Sequence, residues 1–180
     1  EILAITIQDY TTKQIVTWGS KPFKNTRNDV IYHYCPTEYE LLTSFINYWM
    51  QDVPDVITGW NIQLFDIPYI CKRLQRVLGE KLMKRFSPWG LVSEGEIHVM
   101  GRTHITFDVG GVTQLDYMDL YKKFTYKAQE SYRLDYIAQV ELGQKKLDHS
   151  EFETFKDFYT KGWQKFIEYN IIDVELVDRL

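Results

Sequence analysis

Residues 53–79 contain the feature that most constrains the fold. The apolar stretch Val53-Pro54-Asp55-Val56-Ile57-Thr58-Gly59 gives way to a short loop, then to a helix signal opening near Asp66. A buried strand leading directly into a helix is the repeating step of α/β architecture. Pro68 suits the first helical turn, where its missing N–H costs nothing. Ile70, Leu74, Val77 and Leu78 supply one apolar face, and Gly79 ends the helix. The step puts Asp66 at the carboxyl end of the strand, where open α/β sheets place their ligands. A helix N-terminus also favours a negative group. On position alone the favoured reading of Asp66 is an N-cap, stabilising the helix by ~1 kcal/mol.

The rest of the chain fits around this step. Ile2–Ile7 reads as a strand, Asp9–Lys13 as a polar turn, and Gln14–Trp18 as a returning strand, giving a hairpin. Val30–Tyr34 is a third strand, stopped by Pro36. Thr37-Glu38-Tyr39-Glu40 has the form of a capping box before a helix whose apolar positions are Leu41, Leu42, Phe45, Ile46, Trp49 and Met50. Residues 84–113, punctuated by Pro88 and by Gly90, Gly95, Gly101, Gly110 and Gly111, read as an extended β-hairpin projecting from the core. Thr113–Tyr117 resumes the sheet, and Met118–Phe124 is a short helix or turn. Ser131 is placed to cap a helix carrying Leu134, Ile137, Ala138 and Leu142. After a polar loop at 145–149 the pattern is helical to Leu180, with Gly162 its one weak point. Strands followed by alternating helices and strands predict a single α/β domain with a mixed sheet, spanning 1–180.

A chain of 180 residues is long enough to bury a continuous core. Its net charge of −4 argues against a protein that coats nucleic acid non-specifically. It does not argue against a nuclease, whose metal-binding carboxylates are themselves acidic. Aromatic residues make up 16% of the chain, enough for both a core and a base-stacking surface, with the core the better account of most. Two isolated cysteines, Cys35 and Cys71, supply neither a disulfide framework nor a zinc site, which suits a reducing cytosol. No apolar run approaches the ~20 residues of a membrane span.

A second carboxylate stands out near the end. Asp173 lies four residues after Tyr169 in Tyr169-Asn170-Ile171-Ile172-Asp173-Val174-Glu175, so the two side chains share a helix face. A tyrosine hydroxyl beside a metal-bound aspartate can orient a water for attack on phosphorus. In isolation this spacing more often marks a surface aspartate.

Together with their flanks, these stretches resemble the 3′–5′ proofreading exonuclease domain of family B DNA polymerases, most closely those of T-even-type bacteriophages. Ile57–Ile62 with Phe65–Ile70 is similar to the family's second exonuclease motif, and Tyr169–Glu175 to its third. Met83–Pro88 and Leu115–Phe124 resemble further stretches in order, so the likeness covers nearly the whole chain. It implies a ribonuclease H-like fold and two divalent ions, magnesium or manganese, held by four carboxylates. Asp66 and Asp173 would each bind one ion, Tyr169 would orient the attacking water, and Asn61 and Phe65 would border the terminal nucleotide. Lys146 matches a lysine near the scissile phosphate, with Lys145 an alternative register and a solvated loop charge an equal reading. Residues 84–113 would be the hairpin that helps part primer from template. The implied partners are a single-stranded DNA 3′ end, the primer–template, the remainder of the polymerase and, through it, a sliding clamp. The implied location is the cytoplasm of an infected bacterium.

One departure matters. The family's first motif, Asp-x-Glu on the central strand, is absent; Glu1 and Asp9 lack its spacing, and Asp173-Val174-Glu175 lies on a helix. The sequence is therefore expected to be a piece of a longer polymerase, inactive alone, with unpaired sheet edges that favour self-association. The alternatives are a non-catalytic ribonuclease H-like module that binds nucleic acid or a partner protein, and an unrelated α/β binding domain. Intact Asp66, Tyr169 and Asp173 argue against the first of these.

Overall fold

The opening strands form where β-branched and aromatic residues concentrate: β1 (Ala4–Gln8), β2 (Ile15–Gly19) and β3 (Val30–Tyr34). The computed structural model describes residues 1–99, 101–144, 152 and 154–180. It divides into two compact units, one of residues 1–2 and 38–128, the other of 3–37 and 129–180.

In the second of these units β1 pairs antiparallel with β2, Ile5 opposite Trp18, and β2 pairs parallel with β3, Thr17 opposite Tyr32. The β1–β2 turn is closed by Asp9, whose Oδ1 accepts from the Thr12 amide at 2.6 Å. Among the described residues three helices complete the unit: α5 (Leu134–Leu142), α6 (Phe155–Lys161) and α7 (Trp163–Arg179). Helix α7 packs on β1 and β2. Buried Ile15, Val30, Phe158, Trp163, Phe166, Ile167 and Ile171 form the core between sheet and helices. Two helix expectations shift here. The α5 N-cap is Arg133, and Ser131 instead accepts from the Arg133 amide in the preceding turn. Gly162 is a break rather than a weak point: its backbone (φ −109°) ends α6 and starts α7, so two helices stand where one was expected.

The other unit contains α1 (Glu38–Trp49), β4 (Val56–Gly59), α2 (Asp66–Leu78), α3 (Glu80–Met83), β5 (Val92–Val99), β6 (Arg102–Val109), β7 (Thr113–Asp116) and α4 (Tyr117–Phe124). The apolar face of α1 is buried through Leu41, Leu42, Phe45, Ile46 and Trp49, and the Trp49 ring N–H donates to the Phe86 carbonyl at 2.8 Å. Met50 falls just past the helix and is exposed. Strands β5 and β6 form the expected hairpin. Its root is held by buried Phe107 and Val109 and by Ser87, whose hydroxyl donates to Gly110 O and accepts from the Trp89 and Leu91 amides. Toward the tip His98, Val99, Arg102 and Thr103 are exposed.

Strands β4 and β7 pair parallel with each other, Gly59 opposite Asp116. The architecture is thus mixed α/β, but the described strands lie in three small sheets rather than one. Hydrophobic periodicity identifies strands without saying which of them pair. Nor is β4 the buried strand expected: Val56 is 50% and Leu115 on β7 41% exposed. Among the described residues only β7 pairs with β4, so its side chains keep more solvent than those of a central strand.

One ion pair ties α1 to α2 and to the start of the chain. The Glu38 carboxylate accepts from the Ile2 amide at 2.8 Å and from Arg73 Nε at 2.7 Å and Nη2 at 2.5 Å. Burial pushes the Glu38 carboxyl up, but the Arg73 and Ile2 bonds outweigh it and hold the group below its ordinary 4.5. A depressed folded-state pKa means that the unfolded chain takes up the proton first. The stabilisation is therefore complete above about pH 4.5 and lost as pH falls through the folded value. Glu38→Gln is expected to be less stable than wild type at pH 7, with the gap closing below pH 4.5 in urea denaturation. A gap independent of pH would exclude this account.

Candidate functional site

The βα junction of residues 59–66 is built by backbone geometry. After β4 ends at Gly59, Asn61 adopts the left-handed region at φ 63°, a conformation asparagine tolerates better than most residues. The Asn61 carbonyl then accepts from the Phe65 amide at 3.1 Å, and the Ile62 carbonyl from the Ile67 amide at 2.9 Å. These bonds wind the loop straight into α2. The helix N-cap is Phe65, with no side-chain capping bond, and Asp66 is the first helical residue. The N-cap reading of Asp66 is thereby replaced: its carboxylate is exposed in the first turn, where the helix dipole favours it. Phe65 is 63% exposed and lies parallel to Tyr69, ring centroids 6.2 Å apart and planes 5° apart. Asn61, Phe65 and Asp66 thus all belong to this one junction.

Tyr169 and Asp173 lie one turn apart on α7, both half-buried. The Tyr169 ring stands edge-on to Phe158 at 5.7 Å and 88°, packed against the core that anchors the helix. Neighbouring contacts brace α7: Glu175 receives Arg27 Nη2 at 2.5 Å, and Asp178 receives Lys13 Nζ at 2.6 Å. Asp66 and the Tyr169–Asp173 pair belong to different compact units. Lys145 and Lys146 lie outside the described residues.

Hard carboxylate oxygens are the donors that magnesium and manganese take, so Asp66 and Asp173 fit such an ion in kind. They fall short in number. Among the described residues no group of three or more His, Cys, Asp or Glu side chains is placed to hold a metal ion.

Sequence reasoning missed Asp116. This buried residue, 7% exposed, ends β7 and caps α4 through the Met118 amide. It also accepts from the Asn61 amide at 3.0 Å and the Gln63 amide at 3.1 Å, inside the loop that leads to Asp66. Its signals were an aspartate at a strand end and a place in the family-like stretch Leu115–Phe124, and neither gives it a role until β4 and β7 are paired.

The model of the exonuclease domain of DNA polymerase family B matches residues 1–137, which include Asn61, Phe65, Asp66 and Asp116. The chain belongs to this family. Its relatives include the DNA-directed DNA polymerase of Enterobacteria phage T4, 41% identical over 151 residues, which are 84% of this chain and 17% of that protein. The corresponding polymerase of Escherichia phage RB69 is 39% identical over 145 residues, 81% of this chain and 16% of that protein. The DNA polymerase catalytic subunit of human herpesvirus 7 (strain JI) is 28% identical over 180 residues, 96% of this chain and 17% of that protein. The chain spans 16–17% of the length of these relatives. No described helix is long and apolar enough to cross a membrane.

Proposed function

We propose that this chain is the 3′–5′ proofreading domain of a replicative, phage-type DNA polymerase, with a ribonuclease H-like fold. It hydrolyses the last phosphodiester bond of a single-stranded 3′ end and releases nucleoside monophosphates. The observation that carries the reading is the junction at the end of β4. It presents an exposed aromatic ring beside an exposed carboxylate, at the start of α2 and inside the family-matched residues.

Each residue then has a task that its placement suits. Phe65 offers a π-face to the terminal base, contact of a kind worth roughly 1–3 kcal/mol per base. Asn61 borders the same nucleotide. Asp66 and Asp173 would each hold a divalent ion, and Tyr169, fixed by its edge contact with Phe158, orients the attacking water. Bound magnesium or manganese supplies a water of lowered pKa and neutralises charge developing at phosphorus. Two carboxylates are too few for two ions, so the remaining ligands are assigned to other parts of the polymerase. The hairpin β5–β6 would help to separate primer from template. DNA, the remaining polymerase chain and, through it, a sliding clamp are the proposed partners, and self-association through unpaired sheet edges is proposed. The host cytoplasm is the proposed location.

The test uses the full-length polymerase and a 5′-labelled single-stranded oligonucleotide with magnesium. A ladder shortened stepwise from the 3′ end is expected, whereas the isolated 180-residue chain should give none. Absence of shortening by the full-length protein would favour a non-catalytic binding module instead. Robust cleavage by the isolated chain would mean that it supplies further metal ligands of its own.

A further inference from the structure

We infer that Asp116 is a positioning residue that sets where Asn61, Phe65 and Asp66 are presented. Its carboxylate is buried and its hydrogen bonds divide between two elements. Oδ1 accepts from Met118 N at 3.1 Å, the ordinary task of an α4 cap, and also from Asn61 N at 3.0 Å. Oδ2 accepts from Gln63 N at 3.1 Å. A residue serving only as a cap needs one oxygen and one helix amide. Here both oxygens are used, and two of the three donors lie in the loop before α2. Bonds to an ionised acceptor are about twice as strong as neutral ones, so the pair ties the loop firmly to the end of β7.

The loop needs such a tie. Asn61 is held at φ 63°, and the turn from β4 into α2 is completed within residues 60–65. The β4–β7 register places Asp116 directly opposite Gly59, so the carboxylate reaches across the strand ends to the amides just beyond. With these bonds lost, Asn61 can leave the left-handed region and the angle at which α2 starts becomes variable. Phe65 and Asp66 are the residues at that start.

Two variants separate the loop tie from the cap. Asp116→Ser keeps a good N-cap for α4 but has a single short oxygen, which cannot also serve Asn61 and Gln63. Asp116→Asn keeps the shape and turns one acceptor oxygen into a donor facing a backbone N–H. In the 180-residue chain, Asp116→Ser is expected to speed amide exchange at Asn61 and Gln63 by about tenfold, as for one lost charge-assisted bond, and Asp116→Asn to do so at Gln63, which faces the oxygen replaced. In Asp116→Ser, exchange in α4 and in β1–β3 should stay at wild-type rates. Unchanged exchange at Asn61 and Gln63 would overturn the inference, as would an equal rise across the whole chain.

The consequence for excision rests on the proposed proofreading function. In the full-length polymerase Asp116→Ser should lower the excision kcat by about 10–100-fold, the range seen when the supports of metal ligands are removed. DNA synthesis should keep its rate, which a general loss of folding would not allow. Faster exchange with undiminished excision would overturn the positioning role. A wild-type polymerase without 3′ excision would sink the proofreading reading, while the exchange result would still decide the role of Asp116 in the loop.

Discussion

Asp66→Ala is expected to cut 3′-terminal excision by about 10²–10³-fold in the full-length polymerase, while DNA synthesis keeps its wild-type rate. The size follows from what the side chain is proposed to do. Charge stabilisation from one metal position amounts to several kcal/mol at the transition state, and each 1.36 kcal/mol is tenfold in rate. The competing explanation is loss of helix stability, and here the magnitudes decide. Asp66 is exposed, follows the N-cap rather than forming it, and its favourable interaction with the α2 dipole is worth about 0.3–1 kcal/mol. That loss is too small to unfold the unit, so the circular dichroism spectrum and the urea midpoint should barely move. Asp66→Asn provides the control: it keeps shape and exposure, removes the charge, and should fall almost as far. Excision within threefold of wild type in both variants would remove Asp66 from the site.

What the sequence disclosed and what it withheld divide along physical lines. The βα junction was legible because it is local: an apolar run ending in glycine, a loop, and a proline three residues into the helix. The hairpin at 92–109 was legible for the same reason, since alternation and glycine punctuation lie within a few residues of one another. Strand pairing was not legible. Nothing in Val56–Gly59 names Thr113–Asp116 as its partner, so neither the exposure of β4 nor the division into separate sheets could be anticipated. Asp116 was hidden for that same reason, because its contacts with Asn61 and Gln63 exist only in that register. Gly162 shows a subtler limit. Helical spacing continues across it, but a Cβ there would run into the Phe152 ring, so packing as well as propensity fixes the break.

Phe158→Ala should destabilise the protein far more than Asp66→Ala, Glu38→Gln or Asp116→Ser, by roughly 3–5 kcal/mol in the unit that carries α7. The side chain is 1% exposed, and its ring meets Phe152 at 5.2 Å, Phe166 at 5.5 Å and Tyr169 at 5.7 Å. Truncation removes the transfer energy of the ring and leaves a cavity bordered by aromatic residues, which are too rigid to collapse into it. The edge-to-face contacts add about 0.5–1.5 kcal/mol beyond area, so Phe158→Leu should recover part of the loss but not all of it. Trp163 belongs to the same core cluster, and with the other four tryptophans replaced by phenylalanine its fluorescence during urea unfolding reads the change. The effect should extend to function at a distance from any ligand. Phe158 is the wall against which the Tyr169 ring is set, so Phe158→Leu, still folded, should lower excision by the full-length polymerase more than it lowers DNA synthesis. Equal loss of the two activities would mean that the core supports the fold without holding Tyr169 in place.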